Sequence, residues 1–130
     1  QNTGNIARTC AATNTSLLLV HPLGFSTQSR HLKRAGLDYW DSVQIEEIYD
    51  LEAYLLQTQS PFFFLSSKAS APYTHAPFTA DSILIFGSET SGLPPQFRAR
   101  WPSHFYTIPM TPGQRCLNLA NSAAIVLYEA

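Results

Sequence analysis

Charge is scarce in this chain: Lys, Arg, Asp and Glu make up only 13% of its 130 residues. A net charge of −1, from eight basic and nine acidic residues, argues against a strongly basic nucleic-acid binder. Cysteine is scarcer still. Cys10 and Cys116 lie too far apart to form a metal pair by spacing, and they indicate no disulfide framework. No His/Cys/Asp/Glu cluster has metal-ligand spacing, so no metal is expected. No apolar run approaches the ~20 residues of a membrane span, and no signal peptide is visible in a sequence that opens at Gln1. Free thiols and no membrane partner point to a cytoplasmic protein. No G-x-G-x-x-G follows a strand pattern, which weakens a nucleotide-binding Rossmann reading.

What is present is a core. Hydrophobic residues make up 45% of the chain, which excludes a disordered segment. The length suggests one domain spanning residues 1–130, burying roughly two-thirds of its unfolded surface. The charge is unevenly spread. Six of the nine acids fall between Asp38 and Glu52, and all eight Lys and Arg lie outside that segment. One basic face can therefore survive despite the neutral total.

The apolar pattern alternates between two kinds of element. Asn2 to Asn5 offer capping residues ahead of a helix from Ile6 to about Thr13. Leu17–Val20 is a short, wholly apolar run, as expected for a strand covered on both faces, and His21-Pro22-Leu23-Gly24 ends it. Ser29 to Ala35 reads as a short basic helix closed by Gly36, and Ile48 to Gln57 as an amphipathic helix. Phe62–Leu65, Ile83–Phe86 and Tyr106–Ile108 read as three further strands, and Leu117–Glu129 as a helix with small or apolar residues nearly all round. Buried strands alternating with helices predict an α/β domain with a mostly parallel sheet. Ligands on such sheets bind at the carboxyl ends of strands.

Three segments carry the chemistry: Asn2-Thr3-Gly4-Asn5-Ile6-Ala7-Arg8, Phe86-Gly87-Ser88-Glu89-Thr90-Ser91-Gly92-Leu93-Pro94, and Ile108-Pro109-Met110 with Arg115 to Ala123. Gly87 and Gly92 flank a loop after a buried strand. Their missing side chains either let backbone approach a flat ligand or supply turn geometry. Arg30, Lys33 and Arg34 have i, i+3, i+4 spacing, which suits a phosphate-contact patch or an ordinary solvated face. His31 and His104 read as surface histidines.

In that order and spacing, the three segments resemble the motifs of the SPOUT superfamily of RNA methyltransferases. His21-Pro22-Leu23-Gly24-Phe25 and Arg34-Ala35-Gly36-Leu37-Asp38-Tyr39 narrow the resemblance to enzymes that methylate the ribose 2′-hydroxyl of the tRNA wobble nucleotide. It runs from Gln1 to Ala130. It implies helices on both faces of the sheet, a C-terminal trefoil knot, a homodimer, tRNA as partner and S-adenosylmethionine as cofactor. Relatives carry a strand ahead of the first motif, so the chain is expected to lack an N-terminal strand. Two alternatives stay open: a 2′-O-methyltransferase for another tRNA or rRNA site, and a non-catalytic RNA-binding module.

The resemblance also implies roles. Leu65, Gly87, Ile108 and Cys116 match positions that hold the cofactor largely through backbone contacts. Gly92, Met110, Leu117 and Asn118 lie on the same loops and complete the expected set, together with Glu89. That carboxylate serves the cofactor or RNA site, or else caps a turn or pairs with an arginine. Arg8 matches the arginine assigned to activating the hydroxyl. An arginine stays protonated and is a poor base, so electrostatic positioning suits it better, with a phosphate or water taking the proton. Arg30, Lys33 and Arg34 are expected to touch tRNA. Tyr128 matches a tyrosine linked to RNA binding or the dimer, with core packing the alternative. Asn118 and Asn121 share a helix face and bond knot-loop backbone or substrate. The chain departs from the family at Ser66-Ser67-Lys68-Ala69, where relatives have a Thr-Thr-Lys-Gly-like segment, and at Cys116, where serine is common.

Overall fold

The computed structural model describes residues 2–21, 43–88, 92–110 and 119–130. The contacts divide the chain into two compact units, Gln1–Thr58 and Gln59–Ala130, each described by itself.

The first unit opens with α1, Asn2–Thr13. Gly4, Ala7 and Cys10 recur every third residue and are buried, so a stripe of small side chains faces the interior. The residues expected to precede this helix as caps lie inside its first turns instead. Its C-terminus is better defined. Asn14 adopts φ 54°, and Thr15 N–H donates to the Cys10 carbonyl at 2.8 Å while Asn14 N–H reaches Ala11 at 3.4 Å. That pair of bonds is a Schellman closure, with asparagine tolerating the left-handed position.

Strand β1, Leu17–Val20, pairs in parallel with β2, Ile45–Ile48, Leu17 opposite Ile45 and Val20 opposite Ile48. At their carboxyl ends His21 Nε2 lies 2.7 Å from Glu47 Oε1, and the His21 ring stacks on Tyr49 with centroids 4.4 Å apart. Helix α2 covers Leu51–Gln57. The expected start at Ile48 is corrected: Ile48 closes the ladder, and the Asp50 carboxylate caps the helix by accepting from Ala53 N–H at 3.1 Å.

The second unit is built on three parallel strands, β3 (Phe62–Leu65), β4 (Ile83–Phe86) and β5 (Phe105–Tyr106), in the order β4-β3-β5. The described strands thus occupy two parallel sheets. Helix α3, Pro95–Arg100, lies between β4 and β5 in sequence and was not expected. Pro95 stands in its first turn, where a missing N–H costs nothing. Helix α4, Leu119–Glu129, packs against β4 and buries Ala120, Ala123 and Val126 at i, i+3, i+6 spacing.

The core of this unit is aromatic. Phe64, on the central strand, is fully buried. Its ring stacks on Phe105 at 4.6 Å and on Phe97 at 5.6 Å, with Trp101 at 6.0 Å. His104 is half-buried rather than a surface residue: its Nδ1 lies 2.8 Å from the Phe62 carbonyl and its ring stacks on Phe62 at 4.4 Å. The last strand begins at Phe105, earlier than expected, because Phe105 pairs with Phe64 in the ladder. Thr107 then bonds a different partner, donating to Ala71 and accepting from Tyr73, both at 2.8 Å.

Candidate functional site

Strand register decides which loops meet. Leu65 lies opposite Phe86 on one side and Tyr106 on the other. The next residues along, Ser66, Gly87 and Thr107, therefore leave the sheet at one level, on strands about 4.8 Å apart. Four expected cofactor residues, Leu65, Gly87, Gly92 and Ile108, come to this carboxyl edge. Leu65 is buried and Ile108 half-buried. Met110, also expected there, follows two residues later and is 37% exposed.

The loop after β4 closes on itself. Ser88 and Gly92 form an antiparallel bridge in which Gly92 N–H donates to the Ser88 carbonyl at 3.0 Å. A Cβ placed on Gly87 would stand 2.4 Å from the Gly92 carbonyl carbon and 2.5 Å from the Leu93 nitrogen. Gly92 has φ +67° and open space around it. The two glycines thus serve different needs: Gly87 admits neighbouring backbone, and Gly92 supplies a left-handed residue. The apolar side chains of Leu65 and Ile108 and the exposed backbone of the loop after β4 are of the chemistry that suits a flat adenine ring. The described residues therefore fit S-adenosylmethionine in kind. Glu89, Cys116, Leu117 and Asn118 lie outside the described residues, as do the segments on which the implied knot turns.

Arg8 lies on α1 in the first unit and is exposed. Tyr128 is 69% exposed near the end of α4, which excludes its core-packing alternative. Ile125, at 39%, and Asn121 share that outward stripe. Arg30, Lys33 and Arg34 fall outside the described residues. Among the described residues, no three His, Cys, Asp or Glu gather in a group able to hold a metal, and no helix is long and apolar enough to cross a membrane.

One feature of this edge had no sequence signal beyond the Ser66–Ala69 departure. A cleft of about 390 Å³ opens beside it, between the turn after β3 and helix α3, walled by Ser66, Lys68, Leu93, Pro94, Arg98 and Phe105 among others. Arg98 Nη1 donates to the Lys68 carbonyl at 2.7 Å across it.

The chain has full-length counterparts among known proteins. A tRNA (cytidine(34)-2′-O)-methyltransferase of Methylovorus glucosotrophus is 46% identical over 132 residues, covering 99% of this chain and 85% of that protein. A solved structure described as giving insight into the 2-OH methylation of C/U34 on tRNA is 40% identical and superposes with a TM-score of 0.88, over 98% of this chain and 84% of that one. The SpoU methyltransferase AviRb of Streptomyces viridochromogenes, solved in complex with AdoMet, superposes at 0.80 over 98% of this chain and 51% of that one; at 21% identity it speaks to the fold alone. The model of the SpoU rRNA methylase family matches residues 1–128, and the chain belongs to that family.

Proposed function

We propose that this chain transfers the methyl group of S-adenosylmethionine to the ribose 2′-hydroxyl of the wobble nucleotide in a tRNA anticodon. One observation carries the reading: the register that sets Leu65, Gly87 and Ile108 on adjacent strand ends, beside the loop closed by Gly92. The relatives named for this reaction support its substrate. When bound, the cofactor supplies a methyl carbon made electrophilic by its sulfonium.

The chain's own residues do the rest. Leu65, Ile108 and Met110 shield the adenine from water, and the backbone about Gly87 orients it. The reacting bond forms from the 2′-oxygen to the methyl carbon as the carbon–sulfur bond breaks, and the hydroxyl proton leaves to a phosphate or water. Arg8 remains a cation throughout. It holds a phosphate and stabilises the developing alkoxide rather than taking the proton. Two copies pair through the outward stripe of α4, where Ile125 and Tyr128 are exposed. The protein works in the cytoplasm, where tRNA is its partner, and needs no metal. Cys116, Leu117 and Asn118 add to the cofactor contacts, and the fold is the trefoil-knotted one that the resemblance implies.

Incubating tRNA and rRNA separately with radiolabelled cofactor, then digesting each and identifying the product nucleoside by mass spectrometry, tests this. A 2′-O-methylated wobble nucleotide is expected. Label on an rRNA ribose instead would favour the family's other substrate class.

A further inference from the structure

We infer that the cleft between the turn after β3 and helix α3 is a subsite for an RNA phosphate, with Lys68 and Arg98 as its charged contacts. The inference rests on the proposed tRNA reading and adds a contact to it.

The cleft lies wholly within the second unit, at the strand edge assigned to the cofactor. Its two cations are exposed, and no carboxylate lines it among the described residues. Of the described acids in this unit, Asp81 accepts from Thr79 Oγ1 at 2.6 Å, and Glu129 ends α4. The arginine is also held in place. Its guanidinium sits 5.8 Å from the Phe105 ring centroid and spends one N–H on the Lys68 carbonyl. A guanidinium has five N–H donors in a fixed fork. Among the described residues it has no other hydrogen-bond acceptor, which leaves most of that fork for a ligand.

The same bond fixes the lysine. Lys68 N–H donates to Ser66 Oγ at 3.2 Å while its carbonyl receives Arg98, so both sides of its peptide backbone are tied. The Lys68 side chain is left exposed on the cleft wall. Two cations on one cleft, with no carboxylate in its described lining, suit an anion that arrives with many charges, because each phosphate contact releases condensed counterions. A free phosphate gains no such term. Counterion release therefore favours a nucleic-acid backbone over a small anion.

Lys68→Ala tests this cleanly, because it removes the ammonium and keeps the carbonyl that Arg98 needs. Affinity of the full chain for tRNA is measured over a range of salt concentrations. The expected result is several-fold weaker binding at low salt and a salt slope shallower by about one. Arg98→Ala should do the same, and Lys68→Arg should restore the slope. Binding of S-adenosylhomocysteine is measured in parallel. An unchanged slope in Lys68→Ala overturns the subsite. So does a loss confined to S-adenosylhomocysteine, which would assign the cleft to the cofactor. Inorganic phosphate displacing tRNA at low millimolar concentration would point to a small-anion site instead. A wild-type chain that methylates no tRNA sinks the functional reading itself. Methylation with an unchanged slope sinks only the phosphate contact.

Discussion

Gly87 and Gly92 stand so close across their loop that a single added carbon on Gly87 would fall 2.4 Å from the carbonyl carbon of Gly92. No side chain can yield to that carbon, because its nearest neighbours are all backbone. The loop that meets the proposed cofactor is therefore shaped by the protein's own main chain.

Substitutions at the two glycines should diverge. Gly87→Ala forces the Ser88–Gly92 bridge apart, and overpacking of this kind costs about 1–3 kcal/mol. Gly92→Ala meets no atom and pays only for its positive φ, about 1–2 kcal/mol, whereas Gly92→Asn should fall below that. Urea unfolding ranks the three variants, and calorimetry with S-adenosylhomocysteine should show the largest loss of affinity for Gly87→Ala. Equal affinities in Gly87→Ala and Gly92→Asn would contradict this account of the loop.

Arg8 and Arg34 should fail in different ways. Arg8→Ala should cut single-turnover methylation at saturating tRNA by on the order of 100- to 1000-fold while leaving cofactor affinity nearly intact. Arg34→Ala should instead weaken tRNA binding and flatten its salt dependence. A near-normal single-turnover rate in Arg8→Ala would remove it from the reaction.

Phe64 should be the most costly residue to truncate in the second unit, since it is fully buried and stacks on Phe97 and Phe105. Phe64→Ala is expected to cost about 3–5 kcal/mol, and Phe64→Leu less, because leucine refills part of the cavity. The comparison is made by denaturant midpoints at constant slope.

Cys10 is a buried free thiol, and burial raises its pKa above the ordinary 9.0. The unfolded chain loses this proton first as pH rises. The stability Cys10 contributes is thus fully present below the unfolded value and is lost as pH climbs through the folded one. Unfolding measured from neutral to strongly alkaline pH should show a fall that Cys10→Ala reduces. In a Cys116→Ser background, native protein should resist a thiol alkylator and denatured protein should react. Rapid native labelling would show that the thiol is accessible.

Much of the second unit was legible because its strands are uninterrupted apolar runs. Phe62–Leu65 and Ile83–Phe86 have the bounds that pattern implies, as does Leu17–Val20 in the first unit. The missed elements lack that signal. Strand β2 is Ile45-Glu46-Glu47-Ile48, whose two central carboxylates break strict alternation, and its last residue, Ile48, reads as the start of the helix that follows. Helix α3 is six residues that open on Pro95 behind Pro94, too short for helical periodicity to register. His104 reads as polar until the Phe62 carbonyl is found beside it. At the site, the motifs marked Gly87, Gly92 and Ile108, but only strand register shows which of them leave the sheet side by side. The cleft at Lys68 and Arg98 joins residues thirty positions apart through one hydrogen bond, and no local pattern announces such a pairing.

The aromatic cluster beneath that edge is also an optical instrument built into the protein. Trp101 lies 5.3 Å from Phe62, 5.8 Å from Phe97 and 6.0 Å from Phe64, centroid to centroid, with the Arg100 guanidinium over its ring at 5.3 Å. Rings held at fixed angles in an asymmetric setting give near-ultraviolet circular dichroism, which vanishes when tight packing is lost even if secondary structure survives. A Trp40→Phe background would leave this indole as the sole tryptophan. Its emission and ellipticity would then report, without any label, when the sheet that carries the proposed cofactor edge loosens.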